Sequence, residues 1–230
     1  MRRAPVDSTG ARRTLITVTE PRREFERELE GIEASVIQLF AMVEEDLGQA
    51  RQALLGGDSD ICAVLIARDQ EIDVLYQQVE ELVQREIMLQ APVSSDLRFL
   101  LSVLRIAPEL ERTHDLIVQI AASAVSASLD ELSPSGQQIL TRMGDLVTQM
   151  WAKASDCWYQ RDPAVAEALA QQDRELDDLH AQLFAELAAG GMSARATMEF
   201  TLMARFYERL GAHAVNVARR VIYLAGPGRE

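Results

Sequence analysis

After about residue 23, nearly the whole chain consists of six long stretches in which apolar residues recur at steps of three and four, each closed by a short cluster of breakers. The first runs from about Glu24 to Leu55, with Ile32, Val36, Leu39, Phe40, Val43 and Leu47 on one face. Gly56, Gly57, Asp58 and Ser59 stop it and offer a cap to its successor. The second carries Val64, Leu65, Ile72, Leu75, Val79, Leu82 and Val83 as far as about Gln90, where Ala91-Pro92 ends it. The third runs from about Ser94 to Leu129 and is interrupted by Pro108, which would kink it or start a new segment. Ser133 to Gly136 form a linker, and a fourth stretch continues to about Gln160. Asp162 and Pro163 read as N-cap and first residue of a fifth helix that ends at Gly190-Gly191, and the sixth runs from about Ser193 to Leu224. Long amphipathic helices joined by short loops pack as antiparallel neighbours. The expected fold is all-α, two tandem three-helix bundles, with units at 24–132 and 133–226.

An internal repeat supports two bundles. At a shift of 104 residues, Asp58 falls on Asp162, Leu65 on Leu169, Asp69 on Asp173, Glu71 on Glu175, Asp73 on Asp177 and Leu75 on Leu179. At a shift of 97, Ala107 falls on Ala204, Glu111 on Glu208, Arg112 on Arg209, Val118 on Val215 and Ala121 on Ala218. The two shifts differ by two helical turns, a change that keeps the same face inward.

Composition narrows the function classes. A formal charge of −13 argues against nucleic acid, whose phosphates call for a basic face. Aromatic residues make up only 5%, which disfavours all-β folds. Cys62 and Cys157 fit no metal-ligand spacing and suit a reducing compartment as buried thiols, so a cytoplasmic location is expected. No apolar run reaches the length of a membrane span. Residues 1–23, with Arg2, Arg3, Arg12, Arg13, Arg22 and Arg23, read as a disordered basic leader; a basic arm touching acidic lipid or a partner is the other reading.

The repeat also isolates a chemical pattern, an acid followed four residues later by another. The pairs are Asp69 and Asp73, Glu111 and Asp115, and Asp173 and Asp177; Glu208 faces Ala212 where a fourth pair would be complete. Four-residue spacing puts both carboxylates on one helix face, where like charges repel unless a cation offsets them. Two pairs on neighbouring helices would form an oxygen-rich site for Mg²⁺, Ca²⁺, Mn²⁺ or iron. Arg68, Arg112, Arg174 and Arg209 adjoin the acids, and a solvated surface balanced by them is the plainer alternative.

Glu111-Arg112-Thr113-His114-Asp115 resembles the Glu-Arg-Ile-Gly-Asp signature of the PhoU family. The run from Glu208 to Ala218 resembles its longer second copy, Glu-Arg-Ile-Gly-Asp-His-Ala-x-Asn-Ile-Ala. Asp96-Leu97-Arg98 matches the family's opening of the third helix, and the likeness extends from about Glu24 to Ala225. The resemblance implies two three-helix bundles binding polynuclear metal through Asp69, Asp73, Glu111, Asp115, Asp173, Asp177 and Glu208, the ion being iron, manganese, magnesium or zinc. It implies a negative regulator of phosphate uptake, a non-enzymatic adaptor between the ATPase of a phosphate ABC transporter and a sensor histidine kinase; separately, the long exposed helical faces suit a homodimer. Three departures stand out: Ala212 replaces the second Asp, Thr113 and His114 replace Ile-Gly, and Pro108 precedes Glu111 by three residues.

Two other classes compete. Glu111 with His114, and Asp177 with His180, suggest the Glu-x-x-His ligands of ferritin-like di-iron proteins, but the two motifs fall in different halves at non-equivalent positions. A metal-free helical interaction module shares the fold and differs only at the carboxylates. No Gly-x-Ser-x-Gly, phosphate loop or dinucleotide fingerprint supports catalysis. Trp151 and Trp158, one heptad apart, read as core, and His213 as a polar residue at a helix edge.

Overall fold

A computed structural model describes residues 19–56 and 58–226. Six α-helices account for almost all of them: α1 Thr19–Gly56, α2 Ser59–Gln90, α3 Ser94–Ser126, α4 Pro134–Gln160, α5 Val165–Ala188 and α6 Ala194–Ala225. A single 3₁₀ turn, Leu129–Glu131, joins α3 to α4. Among the described residues there is no strand. The helix boundaries follow local chemistry. The Asp58 carboxylate accepts from the Asp60 and Ile61 N–H groups at the head of α2, and the hydroxyls of Ser133 and Ser193 cap α4 and α6. Ala91 and Arg161 take left-handed backbone where α2 and α4 stop.

Three boundaries differ from the sequence expectation. Helix α1 starts at Thr19, so Thr19 to Arg23 are helical rather than part of a leader; residues 1–18 lie outside the described residues. Helix α3 runs unbroken through Pro108. Proline there removes one donor from the ladder, a local loss that a long, well-buried helix absorbs. Helix α5 begins at Val165, two residues later than read, because Asp162 caps the Ala164 N–H (2.9 Å) and Pro163 spends itself in the preceding turn.

Helix α2 packs on α1 and α3, α5 packs on α4 and α6, and the two bundles meet through α3 against α6 and α1 against α4. The closer spacing in the second half falls mainly in α5, which has 24 residues where α2 has 32. The seam between bundles is aromatic. Phe40 of α1 lies 6.4 Å from both Trp151 and Trp158 of α4, and Phe99 of α3 stacks on Trp158 at 6.1 Å. Both tryptophans are fully buried, and the Trp151 indole N–H donates to the Leu210 carbonyl at 3.1 Å. Removing either would cost about 3–5 kcal/mol. Arg161 closes the seam. Its guanidinium sits 4.0 Å over the Trp158 ring and pairs with Glu33 of α1.

Candidate functional site

The carboxylates cluster because of how the helices bury their stripes. On α2, Leu65, Ile72, Val79 and Val83 point into the core. Asp69 and Asp73 fall beside that stripe and are left half-buried on the flank that faces α3. On α3, Leu110, Leu116 and Ile117 are buried, which places Glu111 and Asp115 on the matching flank. The four acids feel one another. Burial raises the Glu111 pKa above its usual range, and the charges of Asp115, Asp73 and Asp69 push it further. Asp115 is raised by burial and then by Asp69 and Asp73. Among the described residues, no three His, Cys, Asp or Glu groups converge within reach of one ion.

The second cluster is thinner. Burial raises the Asp173 pKa, with Asp177 and Glu208 adding to it and Arg219 and Arg174 opposing it. Glu208 is held in an ion pair by Arg205 one turn earlier. All seven sequence-derived residues therefore lie where α2 meets α3 or α5 meets α6. The flanking arginines divide. Arg112 and Arg174 moderate the neighbouring acids, whereas Arg68 turns away, binding Glu45 (2.9 Å) and the buried Asp46.

Beneath the first cluster lies a polar group that the sequence reading missed. Asp46 of α1 is fully buried, and His114 of α3 has a side chain only 1% exposed. Nδ1 of His114 stands 3.2 Å from Asp46 Oδ2, and Nε2 stands 3.6 Å from Asp69 Oδ1. Neither ring nitrogen completes a hydrogen bond. The available signal was an acid inside the apolar stripe Val43, Leu47, Ala50, at a position that faces inward.

A second overlooked contact joins the bundles. His213 of α6 is buried, not at a helix edge as the sequence suggested. Its Nδ1 meets Oε2 of Glu109 on α3, which also accepts from Asn216 at 3.3 Å. Burial alone would raise the Glu109 pKa, but the hydrogen bond and charge of His213, helped by Asn216 and Arg112, outweigh it and hold the carboxylate below its usual range. The Asp177–His180 pair lies on α5, which packs on α4 and α6 in the other bundle from Glu111 and His114, so the two motifs do not form one ferritin-like centre.

Comparison with known proteins agrees with this architecture. The PhoU domain family model matches residues 36–124 and again 140–221. A phosphate-specific transport system accessory protein PhoU homolog of Zymomonas mobilis is 31% identical over 212 residues, covering 90% of this chain and 89% of that protein. The PhoU homolog 2 of Mycobacterium tuberculosis is 32% identical over 180 residues, covering 77% and 84%. Among solved structures, PhoU from Pseudomonas aeruginosa superposes with a TM-score of 0.82 at 27% identity, covering 87% of this chain and 98% of that one. The phosphate transport system regulatory protein PhoU from Streptococcus pneumoniae gives 0.81 at 25% identity, covering 89% and 98%.

Proposed function

The chain belongs to the PhoU family, and from that premise we propose that it serves a phosphate-specific transport system as a negative regulator of phosphate uptake and of phosphate-starvation signalling. In this reading it is an adaptor, not a catalyst. It contacts the ATPase subunit of a phosphate ABC transporter and a sensor histidine kinase, and it works in the cytoplasm as a homodimer. The observation that carries the proposal is the match of both halves to one family domain, with full-length relatives named as accessories of phosphate transport. No described helix is long and apolar enough to cross a membrane. The outer helix α2 exposes Val64, Ile66 and Val74, apolar surface on an otherwise charged face that suits a regulatory contact.

The metal belongs to the same proposal. Asp69, Asp73, Glu111 and Asp115 fit a hard or borderline cation in donor chemistry. They are oxygen ligands on two facing helix flanks, with mutual repulsion that a cation would remove. When bound, an ion would neutralise that charge and fix α2 against α3, giving partners a defined surface. One observation favours a second reading, the metal-free interaction module: the carboxylates stand too far apart to share an ion as placed.

Deleting the gene and measuring phosphate uptake and phosphatase output in phosphate-rich medium tests the regulatory role. Derepression of both is expected. Continued repression, in a strain with no second copy of the family, contradicts it.

A further inference from the structure

One stretch of the α3–α6 seam runs against the charge of the whole molecule. The chain carries a formal charge of −13, yet Arg105 of α3 and Arg219 and Arg220 of α6 line one cavity of about 450 Å³. Among the described residues none of the three joins an ion pair. Arg219 donates to the Asn216 amide oxygen at 3.4 Å. One acid shares the wall, Glu109, and its Oε2 is engaged by His213 and by the Asn216 amide N–H. Asn216 thus turns its donor to the acid and its acceptor to Arg219, and the three guanidinium groups are left without a protein anion. Like charges gathered in one cleft draw in the opposite ion.

Helix packing does not ask for these arginines. At the 97-residue shift Arg105 corresponds to Leu202, Arg219 to Ala122, Arg220 to Ser123 and Tyr223 to Ser126. At the equivalent positions the same two helices therefore pack with no cation.

A second cavity, again of about 450 Å³, shares Arg105 and Arg220 with the first and continues the groove towards α2 and the end of α6. Its walls differ in kind. Leu101, Leu104 and Tyr223 give apolar and aromatic surface, and Leu101 and Tyr223 stand exposed. Glu80 and Gln84, one turn apart on α2, add a carboxylate and an amide. The groove is cationic at one end; at the other it is apolar, aromatic and able to hydrogen-bond. A guanidinium fork matches phosphate oxygens two at a time. An aromatic face beside apolar side chains takes a flat ring. Glu80 would accept from a hydroxyl or an exocyclic amine, and its charge would turn phosphates towards the arginines. Clefts of roughly 300–1,000 Å³ are the usual size for small ligands.

We propose that this groove binds a nucleoside di- or triphosphate, with Arg105, Arg219 and Arg220 holding the phosphates and Tyr223, Leu101 and Leu104 the base. None of its residues is one of the paired acids, so the site does not depend on an ion there. Inorganic polyphosphate shares half of the ligand's chemistry and an acidic peptide only its charge, and both enter the test.

Full-length protein in chelator is titrated calorimetrically with ATP, ADP, adenosine and tripolyphosphate; the chelator keeps metal from bridging ligand to the acid clusters. Wild type should bind one ATP per chain, with tripolyphosphate weaker and adenosine weaker still. Arg105→Gln with Arg220→Gln should weaken ATP about tenfold or more. Tyr223→Ala should weaken ATP several-fold and leave tripolyphosphate unchanged. Arg195→Gln, at an exposed arginine at the head of α6, should change nothing. Absence of saturable ATP binding by wild type, or an equal loss in Arg195→Gln, overturns the proposal. Tripolyphosphate bound as tightly as ATP, with Tyr223→Ala silent, overturns the nucleoside assignment. A poly-glutamate peptide that binds where ATP does not would make the groove a protein contact and overturn it as well. Should the double variant not fold, the contrast between ATP and tripolyphosphate in wild type and Tyr223→Ala decides.

Discussion

The two bundles follow the same plan of three helices, yet they resolve the same electrostatic problem differently. In the second, Glu208 is paired with Arg205, Arg219 and Arg174 oppose the rise of Asp173, Ala212 removes an acid, and Met150 with Leu176 fills the space below. In the first, all four acids remain. Among the described residues no arginine forms an ion pair with any of them, and the space below is ionic. The second bundle therefore resembles a site relaxed toward stability, while the first carries repulsion and buried polarity that folding alone does not reward. That difference is what the metal proposal would draw on, and several perturbations should break or sharpen it.

The largest effect should follow from forcing one solution onto the other half. Gly211→His, at the position the 97-residue shift pairs with His114, would drive a ring into Leu176 and Met150, beside the Asp173 carboxylate, whose Oδ1 lies 3.3 Å from the new Cβ. Overpacking of that kind should cost about 3 kcal/mol or more, on the order of 6–12 °C in Tm. A thermal melt close to wild type would show that the second half can host the polar arrangement and would undo the contrast.

Next comes the contact between bundles. Glu109→Ala leaves His213 buried without its partner and should cost about 2 kcal/mol in denaturant unfolding. Glu109→Gln, which can still accept a hydrogen bond, should cost less. Equal losses would mean that packing, not the bond, matters at this position.

The smallest effect is electrostatic, and its sign is opposite in the two settings. Glu109 has a folded pKa below its usual range, so its stabilisation is present at neutral pH and is lost as pH falls through the folded value. Glu111 and Asp115 are raised. Their folded form holds protons more tightly than the unfolded one, so stability from these groups is greatest in acid and is lost as pH rises through the carboxylate range. Neutralising Asp115 with Asn should therefore stabilise the metal-stripped protein at pH 7, by no more than about 0.5 kcal/mol because the group is well exposed. Chemical denaturation with and without chelator checks the sign; destabilisation by Asp115→Asn in chelator would contradict the repulsion.

The fold was largely written in the helical rhythm. Stripes such as Leu65, Ile72, Val79 and Val83 can bury only one face, and breakers at Gly56 and Ser133 delimit them. The carboxylates were legible because the repeat brings Asp69 onto Asp173 and Glu111 onto Glu208. Pro108 misled because a proline's cost is local, while the burial holding α3 together is spread over Leu100, Val103, Ile106, Leu110 and beyond. His213 and Glu109 stand 104 residues apart, and nothing local to either announces the other. Asp46 could have been found, since it interrupts an inward stripe, but its partner His114 depends on the packing of α1 against α3.

The central claim is that the first bundle holds the stronger ion site. It is tested most directly by titrating Mn²⁺ or Fe³⁺ into metal-stripped wild type, Asp69→Ala with Asp115→Ala, and Asp173→Ala with Asp177→Ala. The account predicts that the first pair of changes weakens the tightest binding by roughly a hundredfold or more, because two charges and their oxygens are lost, while the second pair leaves it within a few-fold of wild type. Tight binding that survives in the first variant and disappears in the second would contradict it.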